Sequence, residues 1–127
     1  MNENDISYLI RKSIFTVYNE LGPGLLEKIY EKALAYELIL NELQVKTQVP
    51  IPVMYKKVDM EVGLVADIVV ENKVIIEIKS VEELSKVHHK QILTYLKLTK
   101  MKLGILVNFN TDQIDKDIYR KINGYIE

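Results

Sequence analysis

The stretch Leu64–Ser80, LVADIVVENKVIIEIKS, decides how the rest of the chain is read. Two apolar, β-branched runs, Leu64 to Val70 and Val74 to Lys79, flank Glu71-Asn72-Lys73, the pattern of a hairpin with a short turn. With the turn centred on Asn72, residues equidistant from it lie opposite one another, so Asp67 faces Glu77 and Val65 faces Lys79. Side chains two apart on a strand share a face, as do cross-strand partners. Asp67, Glu77 and Lys79 therefore project from one face, and Ile68, Val70, Ile76 and Ile78 from the other.

One reading of this is an ordinary amphipathic hairpin with its polar residues in water. Against it, the charged face also carries Val65, Val69 and Ile75, and both runs are apolar enough to lie centrally in a covered sheet. Two carboxylates about 4 Å apart repel by roughly 4 kcal/mol at an effective dielectric of 20. Such a pair requires a raised pKa, a neutralising lysine or a bound cation. All-oxygen ligands suit a hard divalent ion such as Mg²⁺ or Mn²⁺.

Asp67, nine residues, then Glu77-Ile78-Lys79 at the end of the next strand resembles the PD-(D/E)XK nuclease superfamily. The proline of that motif is absent here, with Ala66 before Asp67. The resemblance implies that Asp67 and Glu77 ligate the metal, with the backbone carbonyl of Ile78 as a further ligand, and that Lys79 positions or activates the attacking water.

With 127 residues, the chain is expected to form a single domain with one core. Its 48% apolar and 28% charged residues are those of a globular protein. There is no cysteine, which excludes disulfides, thiolate metal sites and cysteine nucleophiles, and only two histidines, His88 and His89. The N-terminal MNENDIS is polar and acidic, and no apolar run is long enough to span a bilayer, so a cytoplasmic protein without membrane contact is expected.

A net charge of −1 does not by itself announce a nucleic-acid binder. The distribution is more telling. Between Lys86 and Lys102 lie Lys86, Lys90, Lys97, Lys100 and Lys102 with both histidines and no acidic residue. A basic strip beside a carboxylate cluster suits a phosphodiester partner; the alternative is a solvated lysine face on a helix.

Apolar spacing predicts a helix from Asp5 to Leu21, capped by Asn4 and stopped at Gly22-Pro23-Gly24. A second follows over Leu25 to Leu43, with Leu26, Ile29, Tyr30, Ala33, Leu34, Glu37 and Leu38 inward. Val45 to Tyr55 reads as a strand pushed to an edge by Pro50 and Pro52. Val58 to Val62 then pairs back before Gly63. A third helix spans Ser85 to Leu98, and Leu103 to Phe109 is a buried strand reached by a right-handed crossover. Asn110-Thr111 caps a last short helix carrying Ile114, Ile118 and Ile122. The expected fold is α/β, one mixed sheet flanked by helices.

On the third helix His88, Gln91 and Tyr95 share a side. Read alone, this is a helix that buries Tyr95 and leaves Gln91 at the rim. Q-x-x-x-Y after E-x-K, however, resembles the RecB-type branch of the superfamily, which implies that Gln91 and Tyr95 position the scissile phosphate or Lys79. Gly24-Leu25-Leu26-Glu27-Lys28-Ile29-Tyr30 has a plain reading too, since an acidic residue in a first helical turn is favoured by the helix dipole. It also matches the naming signature of the GxxExxY family within the superfamily, and by that resemblance Glu27 completes the acidic cluster.

The resemblance runs in order from about Ile6 to Asn110, through Gln48-Val49-Pro50, Asp67, Glu77-Ile78-Lys79, Gln91 to Leu98 and Asn108-Phe109-Asn110. It departs at Val65-Ala66, where relatives carry a basic residue. It implies a restriction-endonuclease-like fold and a Mg²⁺- or Mn²⁺-dependent nuclease acting on nucleic acid, DNA above all. His88, Lys86, Lys90 and Lys97 are the expected backbone contacts. The competing expectation is an inactive nuclease-fold module that binds nucleic acid or a protein partner. A homodimer through an apolar edge is a third.

Overall fold

The computed structural model describes residues 1–126. Five strands form one mixed sheet in chain order: β1 (Val45–Tyr55), β2 (Val58–Val70), β3 (Val74–Lys79), β4 (Leu103–Asn108) and β5 (Ile118–Ile122). All neighbours are antiparallel except β3 and β4, which are parallel. Helices α1 (Glu3–Leu21) and α2 (Glu27–Leu40) precede the sheet, and α3 (Lys86–Thr99) makes the crossover from β3 to β4. This is the restriction-endonuclease-like mixed sheet flanked by helices that the resemblance implies.

From Ile68 onward the period-2 pattern of β2 and β3 divides the core. Ile68, Val70, Val74, Ile76 and Ile78 pack with Ile6, Ile10 and Ile14 of α1 and Leu34 and Leu38 of α2. On the opposite face Val69 and Ile75, with Ala66 and Ile51, meet Tyr95 and Leu96 of α3. All six residues of β4 are buried, as a central strand that is apolar from Leu103 to Val107 requires.

Four local expectations are corrected. The cap of α1 is Asn2, not Asn4: the Asn2 side chain accepts from the Asp5 N–H (2.8 Å) while the Asp5 carboxylate accepts from the Asn2 N–H (3.2 Å). This reciprocal box needs a carboxylate three residues on, which Asn2 has. Helix α2 is shorter than expected and is rotated about its axis. Its buried residues are Tyr30, Glu31, Leu34, Ala35 and Leu38, whereas Leu26 and Ile29 are 73% and 42% exposed.

The last expected helix is instead a 3₁₀ turn, Ile114–Lys116, followed by β5. Residues four apart share a face on a strand as well as on a helix, so Ile118 and Ile122 fit both. Pairing with β4 decides for the strand, because it satisfies an edge that would otherwise be open. β2 is likewise one continuous strand through Gly63, where a Cβ would stand 2.6 Å from the Ile51 carbonyl oxygen.

The entry to α2 is pinned by Tyr30. Its ring stacks on Phe109 at 4.3 Å and 4°, and its hydroxyl donates to the Gly22 carbonyl (2.5 Å) and accepts from the Leu25 N–H (3.1 Å). Tyr30 is fully buried, so removing the hydroxyl strands both backbone groups. Tyr30→Phe should cost about 1–3 kcal/mol in urea unfolding, whereas Tyr8→Phe, at a 70% exposed residue, should leave stability unchanged.

Candidate active site

The β2–β3 ladder pairs Val70 with Val74, Val69 with Ile75 and Ile68 with Ile76, the register expected from the turn at Asn72. It then stops. Beyond Ile76, β3 runs on beside β4 as far as Lys79 opposite Asn108, while β2 stays with β1. Asp67 and Glu77 stand in the opening of this fork.

Side chains replace the lost ladder. The Asp67 carboxylate accepts the Ile78 N–H at 2.8 Å, and the Asp67 N–H bonds the Glu77 carboxyl. Glu77 is 7% exposed and its Oε1 has no hydrogen-bond partner. Burial, then a hydrogen bond to the Asp67 side chain and the charge of Asp67, push its pKa from 4.5 up to about 9, against the opposing pull of Lys79 and the Asp67 N–H. The raised value favours a proton on Glu77 at neutral pH.

Tyr95 closes this face from α3. It is buried, and its hydroxyl is held above the usual tyrosine range by burial and then by Glu77 and Asp67, while a hydrogen bond to Gln91 pulls it down. Gln91 itself is exposed at the rim. Asp67, Glu77, Lys79, Tyr95 and Gln91 are thus brought together.

Glu27 joins through the backbone: its Oε2 accepts the Ser80 N–H (3.1 Å), and the Ser80 hydroxyl donates to the Leu25 carbonyl (2.6 Å). These bonds tie the end of β3, immediately after Lys79, to the start of α2. On the other side Asn108, 2% exposed, holds Val81 through both its amide nitrogen and its oxygen. A cleft of about 250 Å³ lies between α2 and the fork, lined by Glu27, Lys28, Glu31, Gln48 and Asp67.

Glu31 and Gln48 were missed as site residues. Glu31 is 6% exposed, accepts from Gln48 Nε2 (2.5 Å) and pairs with Lys28 (3.4 Å). Its position one turn after Glu27 was the available signal.

The basic strip is placed differently. Lys86, Lys90 and Lys97 are exposed. At about 100° per residue they fall within about 40° of one another, on the side of α3 opposite Tyr95. Their face is turned away from the acid pair. His88 is the N3 residue of α3, its Nδ1 accepting the Ser85 N–H at 3.1 Å. His89 instead meets the Tyr119 ring edge-on at 4.9 Å, and burial followed by Lys121 lowers its pKa.

All the candidate ligands are oxygens, which suits Mg²⁺ or Mn²⁺. The orphaned Glu77 Oε1 is an atom such an ion would satisfy. Yet among the described residues no three His, Asp or Glu side chains come together to hold a metal. Glu77 is buried against Asp67, and one oxygen each of Asp67 and Glu27 is engaged by a backbone N–H. The residues present do not make a prebuilt metal site.

Residues 4–121 match the family model of the PD-(D/E)XK nuclease superfamily, and the chain belongs to that superfamily. Neither the curated proteins nor the solved structures contain a match to the chain. Among the described residues, no helix is long and apolar enough to cross a membrane.

The acid pair makes stability depend on pH. The folded protein keeps a proton on Glu77 that the unfolded chain releases above its ordinary 4.5, so this group's contribution falls as pH rises from 4.5 towards 9 and levels off beyond. Glu77→Gln, which keeps a donor for Asp67 but does not titrate, should be more stable than wild type at pH 7 by on the order of 2–3 kcal/mol. The gap should narrow at pH 5 and widen at pH 8. Urea melts of both proteins across this range check it; parallel curves would show that Glu77 is ionised in the folded state.

Proposed function

We propose that this member of the superfamily is a nuclease-fold module that binds nucleic acid. The observation that carries the reading is how the three carboxylates are engaged: Glu77 buried against Asp67, Asp67 on the Ile78 amide and Glu27 on the Ser80 amide, with no three-ligand cluster among the described residues. The exposed lysines of α3 supply the sequence-independent attraction that a phosphate backbone needs. Because they face away from the acid pair, binding through them does not require the carboxylates to be ionised or metal-bound. DNA is the proposed partner. The finer placement, in the GxxExxY family, rests on Gly24, Glu27 and Tyr30.

Hydrolysis is the second reading, favoured by the unpartnered Glu77 Oε1 and by Lys79 beside it. In it Asp67, Glu77 and the Ile78 carbonyl would hold Mg²⁺ or Mn²⁺ once the shared proton leaves, with Lys79 orienting water and Gln91 and Tyr95 positioning phosphate. The ion would supply the positive charge that polarises the phosphate. Fold alone does not choose between the readings.

Fluorescence anisotropy with labelled duplex DNA, its single strand and the matching RNA, without divalent ions and at two salt concentrations, tests the proposal. Wild type should bind with an affinity that falls steeply with salt. The triple change Lys86→Ala, Lys90→Ala and Lys97→Ala should weaken binding about tenfold or more and reduce the salt slope by up to about three. Absence of salt-sensitive binding, or an unaffected triple variant, rejects the module. Cleavage that appears with Mn²⁺ and disappears in Lys79→Ala would instead establish the hydrolase.

A further inference from the structure

Asp67 is missing from both of its ladders. On the β3 side pairing ends at Ile68 with Ile76; on the β1 side Thr47 pairs with Ile68 and Val49 with Ala66, but Gln48 does not pair with Asp67. The register is the same before and after this gap, so nothing has been inserted. The gap is a local rotation instead. Gln48 has φ +51°, a left-handed conformation that a residue with a side chain adopts at a cost and that persists only where its surroundings impose it.

The surroundings are visible. Gln48 Nε2 donates to Oε1 of Glu31, an acid whose burial would be costly without partners and which is fixed on α2 one turn after Glu27. Glu31, Gln48 and Asp67 line the same cleft. We propose that Glu31 is a positioning residue: by clamping Gln48 it holds β1 away from Asp67, which frees Asp67 to turn its carboxylate onto the Ile78 N–H at the fork. Its bearing on chemistry rests on the second reading above, hydrolysis, but the positioning itself does not.

The Ile78 amide reports on Asp67 directly, since the Asp67 carboxylate is its acceptor. Three variants separate positioning from folding. Gln48→Ala removes the clamping donor but keeps the cost of φ +51°, so β1 is driven back towards Asp67. Glu31→Met keeps the shape and loses the acceptor. Glu31→Gln keeps an acceptor for Gln48 and should behave as wild type.

Amide hydrogen exchange measured by NMR is expected to speed up about tenfold or more at Ile78, relative to Ile105, in Gln48→Ala and Glu31→Met. The amide of Ile105, in the core of β4, serves as the internal reference for any global loss of stability. An Ile78 amide that keeps its wild-type rate relative to Ile105 in Gln48→Ala overturns the proposal, whether or not Glu31→Met folds. Nucleic-acid anisotropy on the same samples reads the other question. A wild type that binds none rejects the proposed function, while the Ile78 rate, which needs no ligand, still decides the role of Glu31.

Discussion

The hydrogen bond from the Ile78 N–H to the Asp67 carboxylate is the contact on which the site depends. A β-ladder normally binds backbone to backbone and leaves side chains free. Here the ladder between β2 and β3 ends after three pairs, and a carboxylate takes over the duty of a backbone carbonyl. An N–H left bare at this depth would cost the full desolvation of the group. Asp67 is therefore held by the fold as firmly as a strand residue, although it lies outside the ladder. Its own N–H then meets Glu77, so each acid is tied to the backbone of the opposite strand or to its neighbour.

That arrangement explains why Glu77 is so far from ordinary carboxylate behaviour. Buried, with one oxygen unpartnered and a negative neighbour, it is cheaper to protonate than to ionise. Lys79 opposes this but does not reverse it. The end of β3 is meanwhile fastened on both sides, by Glu27 through Ser80 and by Asn108 through Val81. An acidic residue at the start of α2 can thus be explained as a structural tie as well as a ligand, and Tyr30 of the same motif as a pin for the turn before it.

The hairpin register, the meeting of Asp67 with Glu77 and the crossover through α3 were legible in the sequence, because alternation and a short turn specify them locally. β5 was not, since spacing by four fits helix and strand alike and only the open edge of β4 chooses. The inward face of α2 was also misread. Leu26 and Ile29 look like core by hydropathy, but the helix is turned by the burial of Tyr30 and by the pull of Glu31 on Gln48. Glu31 and Gln48 are far apart in the chain and each is polar, so no periodicity links them. Their relation exists only once α2 lies against β1.

The basic strip shows where a count of charges stops being informative. Lysines at 86, 90 and 97 read from the sequence as a wall beside the carboxylates, because all belong to the helix that also carries Gln91 and Tyr95. A helix has two sides, and the 3.6-residue repeat that buries Tyr95 necessarily turns those lysines outward. A nucleic acid lying along them would pass over the back of α3 rather than into the fork. To reach the acid pair as well, it would have to wrap around the helix or present a second segment at the rim where Gln91 is exposed. Binding and hydrolysis are consequently separable demands on this surface, since the first needs only the outer face of one helix and the second needs the proton between Asp67 and Glu77 to leave.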